Sequence, residues 1–190
     1  MRNSDTLNPT GHLEILKIYP DGTEELHWSD HNVITSGMGV TLGYLFSETG
    51  SSSILDFQLA YAQVGVSGSA NYGTSTFKLV SSVPYSQLSG NDLIAGTHSQ
   101  LQNGTTFTDQ PFISIAPNNV YRASPTSVRY HIIIPQNALN LSVPLNEIGL
   151  FSKNPRQQSP EESILVAYKS FSNLLKFTDF SLLFRWTIYF

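Results

Sequence analysis

Ser29-Asp30-His31 sets a hydroxyl, a carboxylate and an imidazole in consecutive positions, the three residue types of a hydrolytic triad. Triad members converge from separate elements, and three adjacent residues do not ordinarily meet as nucleophile, base and orienter. The segment instead suits a strand-to-helix turn in which Ser29 or Asp30 bonds to nearby backbone. His27 and His31 have the spacing of a helical zinc pair, but at a strand end that spacing does not aim both rings at one ion. The remaining histidines, His12, His98 and His131, bring no third ligand close in sequence. Glu161-Glu162 are neighbours in a polar loop, whereas the carboxylates of a glycosidase face each other roughly 5–9.5 Å apart across a substrate. Gly65-Val-Ser-Gly68 matches neither the dinucleotide-binding nor the P-loop pattern. With no cysteine in the chain, thiolate catalysis, disulfides and cysteine-ligated metals are excluded together. The expectation is a chain that is not an enzyme, with no catalytic residue, no metal site and no cofactor.

The elements that would position any such residues read as strands. Gly11–Tyr19 and Thr23–Trp28 predict a hairpin around Pro20-Asp21-Gly22, where proline suits the first turn position and glycine a left-handed one. If Tyr19 and Thr23 close the loop, Lys17 faces Glu25, Leu16 faces Leu26, His27 faces Ile15, and Ile18 and Trp28 share the leucines' face. Ser36 can cap a short helix over Met38–Phe46, in which Met38, Leu42, Leu45 and Phe46 have helical spacing. Gly37, Gly39 and Gly43 weaken that helix but permit close packing across a sheet. Ile54–Val66 reads as an extended segment through the core, and Ser67–Ser75 as a loop rich in glycine, serine and asparagine. Asn103-Gly104 is a hairpin signal within a polar stretch at 91–126, and Phe112–Ile115 has strand character. Val128, Tyr130, Ile132 and Ile134 alternate with Arg129, His131 and Ile133 up to Pro135. Strands follow at Ile148–Phe151 and Ser163–Phe171. In the last eleven residues Phe180, Leu182, Phe184, Trp186, Ile188 and Phe190 occupy one side of a period-2 pattern. Exposed, that strand would aggregate, so the fold or another subunit must cover it.

The whole is expected to be an all-β, antiparallel β-sandwich with one short helix, in a single domain over residues 11–190. An N-terminal arm spans residues 1–10, and a loop-rich insertion lies around 67–126. The chain has 190 residues, of which 40% are apolar, enough for one domain with a real core. Only 13% are charged, well below the usual quarter. Such a surface is either covered with uncharged polar groups or hidden by neighbours. The net charge of −4 and the absence of any lysine or arginine run give nucleic acid no electrostatic footprint. No run is long enough for a membrane span, and the first residues lack the apolar core of a signal peptide.

Leu145-Asn-Glu-Ile-Gly-Leu-Phe151, then Ile164-Leu-Val-Ala-Tyr168, then Phe171 and Lys176, then the alternating final strand form an order of segments. Together with the Asn32-Val-Ile-Thr-Ser-Gly37 entry to the helix, this order resembles the N-terminal attachment domain of tail-collar fibre proteins of tailed bacteriophages. The resemblance covers roughly residues 31–66 and 145–190. It implies a non-enzymatic virion structural protein of the tail, collar, baseplate or fibre adaptor. Such a protein docks in multiple symmetric copies and joins or seals neighbouring components, and it is assembled in the host bacterial cytoplasm. Tail-collar fibres continue into a long shaft where this sequence stops at Phe190, which implies an adaptor, ring or decoration subunit. The implied partners are other virion proteins and copies of itself, with no nucleic acid and no membrane.

Candidate subunit contacts are Asn3 and Leu7 in the arm, Glu147 and Phe151 in the Asn-Glu-Ile-Gly-Leu-Phe strand, and Tyr189 and Phe190 at the end of the last strand. The alternatives are a capsid decoration protein and a glycan-binding module for host attachment. The latter would stack sugar faces on the loop aromatics Tyr72, Tyr85 and Tyr121.

Overall fold

In the computed structural model, which describes residues 9–47, 53–65, 113–138, 140, 144–153 and 163–190, the first hairpin joins β1 (Thr10–Ile18) to β2 (Glu24–Ile34). Its turn has the expected chemistry. Gly22 sits at φ +84°, its N–H donates to the Tyr19 carbonyl at 2.9 Å, and the Thr23 N–H donates to the Asp21 carboxylate at 2.9 Å. Lys17 faces Glu25 in a 2.8 Å ion pair and Leu16 faces Leu26.

Beyond that pair the expected register fails, because a bulge opens between Ile15 and Leu16. Ile15 pairs with Trp28 rather than with His27. A one-residue slip exchanges the two faces of a strand. Trp28 therefore leaves the face of Leu26 and packs against the core, while Leu26 stays exposed.

A helix, α1 (Ser36–Ser47), follows β2, and a single 3-10 turn at Ile54–Phe57 leads into β3 (Leu59–Gly65). The remaining strands are β4 (Ile113–Ser114), β5 (Val120–Ser124), β6 (Ser127–Ile134), β7 (Leu145–Ser152), β8 (Ile164–Leu174) and β9 (Ser181–Tyr189). Among the described residues α1 is the one α-helix and every strand pairing is antiparallel, so the fold is all-β with one short helix. The strands form one continuous sheet in the order β4-β3-β7-β8-β2-β1-β9-β6-β5, curled into a half-barrel. Its two halves face each other across one core, as the layers of a sandwich do. Ala62, Val64, Ile148 and Leu150 from one half share that core with Leu13, Ile132, Phe184 and Trp186 from the other. The Asn103-Gly104 turn and the Ser67–Ser75 loop lie outside the described residues.

The curl is made at β2. Glu24 to Asn32 pair with β1, but Val33 and Ile34 pair with Tyr168 and Ala167 of β8. Thr35 continues this seam through its N–H to the Val166 carbonyl at 2.9 Å and its hydroxyl to the Leu165 carbonyl. Lys169 of β8 closes it from the other side, pairing with Asp30 at 2.7 Å and lying 5.2 Å over the Trp28 ring.

β9 is no edge. It lies between β1 and β6, and its inward series from Phe180 to Ile188 is at most 3% exposed. The series surfaces only at Phe190. Trp186 is the largest fully buried side chain, and its indole N–H donates to Asn32 Oδ1 at 2.8 Å. Between those strands runs β1, where Gly11 pairs with Asn32 and Leu13 with Trp186. A Cβ at Gly11 would overlap the Asn32 carboxamide, so glycine is required for that bond to cross β1.

Lys176 is buried in the connection from β8 to β9. Its ammonium donates to the Gln136 carbonyl at 3.0 Å, Asn140 Oδ1 at 3.1 Å and the Phe177 carbonyl, so all three donors have partners. It ties the connection after β6 to the connection before β9.

The helical glycines behave differently from the expectation of close packing. A Cβ at Gly39 or Gly43 would meet nothing within 4 Å. We expect Gly43→Ala to raise stability by about 0.4–1 kcal/mol, by restricting the unfolded chain and favouring helix. Gly11→Ala should lower it by about 1–3 kcal/mol, by leaving the buried indole N–H without an acceptor. Trp186→Ala should cost about 3–5 kcal/mol. Urea unfolding of the three variants checks all of this, and a Gly11→Ala protein as stable as wild type would show that the Asn32 bond does not matter.

Candidate assembly surface at the open end of the half-barrel

One stripe of α1 runs from the core to solvent. Met38 is buried in the core, Leu42 and Leu45 are half-buried, and Phe46, four residues after Leu42, is 82% exposed. Buried Thr41 anchors the helix, since its hydroxyl donates to the Gly37 carbonyl at 3.0 Å and lies 2.7 Å from Ser152 Oγ of β7. Met38, Leu42 and Leu45, with Ile54, Phe57 and Leu59 from the 3-10 turn and β3, form one wall of a cavity of about 670 Å³. Ile115, Pro117, Val120, Val128, Tyr130 and Phe190 form the opposite wall. Helical spacing in α1 and alternation in β5, β6 and β9 thus converge at the open end of the half-barrel.

Among the described residues no Asp, Glu, Lys, Arg or His lines this cavity, and its polar side chains are Thr41, Gln58 and Tyr130. Burial pushes the Tyr130 phenol well above its ordinary range, so at neutral pH it is an uncharged hydroxyl. Around the mouth Ile54 is 74% and Phe190 44% exposed, with Leu55 and Val120 also open to solvent. Phe190 is held in place by its own N–H, which donates to the Thr126 carbonyl at 2.8 Å. A second cavity of about 560 Å³ also borders α1 at Met38, Gly39 and Leu42, where Thr10, His31, Asn32 and Thr35 give it a more polar lining.

The charges lie elsewhere. On the outer face of β1, β9 and β6, Arg185 bridges Glu14 at 3.2 Å and Glu24 at 3.6 Å, and Arg129 donates to the Thr187 hydroxyl at 3.2 Å. His131 lies beside them, its ring 4.7 Å from that of Tyr121 and its Nε2 buried with no partner. His12 Nε2 lies 3.0 Å from Ser29 Oγ and the His12 ring 5.6 Å from that of His31. Strand alternation separates the three residues that read as a triad. Ser29 and His31 pair with Glu14 and His12 on that outer face, while Asp30 pairs with Lys169 at the seam. Ser29 meets a histidine from the neighbouring strand, not the one two places on. Among the described residues no group of three or more potential metal ligands gathers.

The residues singled out in the sequence separate widely. Tyr189 and Phe190 are both exposed, and Phe190 lines the cavity. Glu147 and Phe151 are inside the fold instead, at 2% and 0% exposed, with almost no surface to offer a neighbour. β7 is buried along nearly its whole length and β8 along most of its own, so both faces of these strands are covered there. Glu147 accepts a 2.9 Å hydrogen bond from the Tyr168 hydroxyl of β8, a local partner. Tyr121 is exposed at 44%. Asn3, Leu7, Tyr72 and Tyr85 lie outside the described residues. The sequence reading missed Phe46, Ile54 and Val120 as surface groups. The available signal was the length of the helical stripe, which extends past what one sheet can cover.

Comparison with protein families, curated proteins and solved structures finds no match to this chain.

Burial holds the pKa values of His27 and His131 below the ordinary imidazole range, and for His131 the Arg185 and Arg129 charges add to the effect. A histidine that protonates less readily folded than unfolded takes stability away as pH falls. The loss begins near the unfolded value of about 6.5 and is complete below the depressed folded values. Asp21, Glu25 and Asp30 are lowered by hydrogen bonds, so their contribution is lost separately, at more acid pH as they protonate. Melting temperature should therefore begin to fall just below neutrality, and His131→Gln should flatten that first step. An unchanged first step in both His131→Gln and His27→Gln would sink the assignment.

Proposed function

We propose that this chain is a non-enzymatic structural subunit of a tailed-bacteriophage virion. In this reading it is a tail, collar, baseplate or fibre adaptor that docks in symmetric copies and joins its neighbours. The observation that carries the reading is the apolar mouth. Ile54, Val120 and Phe190 are open to solvent on a cavity to which no described residue brings a charged side chain, and Phe46 and Leu55, next in sequence to the lining residues Leu45 and Ile54, are exposed as well. Together these side chains expose on the order of several hundred Å² of apolar surface, the size of the largest patch on a typical monomer, which is often functional. A chain with only 13% charged residues has little else to keep such a surface apart from neighbours. The order of segments over residues 31–66 and 145–190 supplies the virion part of the proposal, through its resemblance to tail-collar attachment domains.

Ser29 and His12 do not argue for hydrolysis, because the nearest carboxylate in sequence, Asp30, is committed to Lys169. Exposed Tyr121, edged by His131 and paired across strands with Arg129, supports the glycan alternative. Of the three loop aromatics named for that alternative it is the one among the described residues, and stacking platforms gain from several.

Two measurements test the proposal. Purified protein should sediment as an oligomer at high micromolar concentration, where mass action favours even a weak contact. Mass spectrometry of density-purified particles should find the chain in a copy number that fits the symmetry of a tail, collar or baseplate. Absence from particles, together with retention on a polysaccharide column that Tyr121→Ala abolishes, would replace this reading with glycan binding.

A further inference from the structure

Independently of that assembly reading, we infer that the outer face of β5, β6 and β9 binds a carboxylated sugar, the kind of unit found in acidic glycans. Tyr121 is the stacking surface and Arg129 the partner of the carboxylate. Cross-strand pairing places Tyr121 level with Arg129, Arg129 with Thr187, Thr187 with His12 and His12 with His31. At the usual strand spacing this row spans about 19 Å, longer than one sugar ring. It contains no carboxylate.

Charge complementarity selects the ligand. Arg185, on the same face, is committed to Glu14 and Glu24. Arg129 uses its Nε on the Thr187 hydroxyl at 3.2 Å, and among the described residues its two terminal nitrogens have no carboxylate or other partner. Held in that way, the guanidinium has two N–H donors left that match the two oxygens of one carboxylate. The Tyr121 ring rests against that of His131 at 4.7 Å, so the phenol is supported on the sheet while 44% of the residue stays exposed. A ring bearing one negative charge and several hydroxyls fits this pair, with exposed Ser29 and His31 further along the face as hydrogen-bonding groups. An acidic peptide or a nucleic acid calls for a run of unpaired cations, and among the described residues this face offers Arg129 alone. The chain's net charge of −4 opposes any diffuse attraction of anions, so recognition has to come from these short contacts.

The test is an NMR titration of the full chain with trigalacturonate, trisialate, the methyl ester of trigalacturonate and a tri-glutamate peptide. Wild type is compared with Tyr121→Ala, Tyr121→Phe and Arg129→Gln, and circular dichroism confirms that each is folded. Saturable binding of at least one of the two acidic sugars is expected, with amide shifts centred on Tyr121, Arg129 and Thr187. Which of them binds tells uronate from sialate. Tyr121→Ala and Arg129→Gln should each weaken binding roughly tenfold or more, as should esterification where trigalacturonate is the ligand, while Tyr121→Phe keeps the ring and the affinity. If Arg129→Gln loses its fold with the Thr187 bond, exposed Tyr121→Ala and the ester still decide. Failure of both acidic sugars to saturate overturns the site, as does binding that Tyr121→Ala leaves unchanged. Equal affinity for the tri-glutamate peptide overturns the sugar assignment by showing that charge alone is read. Detection of the chain in particles bears on the assembly reading alone, so the two proposals fail separately.

Discussion

Burying an indole requires an acceptor for its N–H, and in this protein that requirement organises three strands at once. Trp186 fills the core from β9, Asn32 supplies the acceptor from β2, and Gly11 leaves the gap on β1 through which the bond passes. An unpaired buried N–H would cost about 1–3 kcal/mol, a sizeable part of a domain's usual stability of about 5–15 kcal/mol. The next residue after Asn32, Val33, is where β2 stops pairing with β1 and takes up β8. The bond thus holds β2 at the point where the sheet turns from one half into the other. The two halves can share one core because that point is held.

The position of α1 follows from the same turn. Leaving the seam at Thr35, the chain can only run along the open end of the curled sheet, and Thr41 fastens the helix there against Ser152. One wall of the end cavity is therefore helical and the other is made of strand ends. The helix does not close the gap, because its apolar stripe continues to Phe46 beyond the reach of the sheet.

Local chemistry made much of this fold legible. The Pro20-Asp21-Gly22 turn, the Lys17–Glu25 pair, the alternation of β6 and that of β9 each need only a few adjacent residues to be recognised. Other features resisted for identifiable reasons. The bulge at Ile15 and Leu16 is not encoded by any turn residue; it is the way Trp28 reaches the core while Lys17 keeps its partner. Glu147 was a candidate contact as the acid of the Asn-Glu-Ile-Gly-Leu-Phe strand, but β7 is an interior strand and the Tyr168 hydroxyl donates to the carboxylate from the next strand. Phe46 read as part of a buried helical face, since spacing reports which residues share a stripe and not how far the sheet beneath extends.

The sequence by itself determined the class of the fold, through strand periodicity and one glycine-weakened helix, and its lack of cysteine leaves no thiol for disulfide or thiolate-metal chemistry. It also determined which side of β9 is apolar, because period-2 alternation is a property of the strand alone. Only the tertiary structure decided that β9 lies between β1 and β6, that Ser29 meets His12 rather than His31, and that Phe190 belongs to a cavity with Met38 and Val128. Each of these joins residues far apart in the chain. Such pairings depend on how the sheet curls, and the curl is set by long-range packing around Trp186, which no local window of sequence contains.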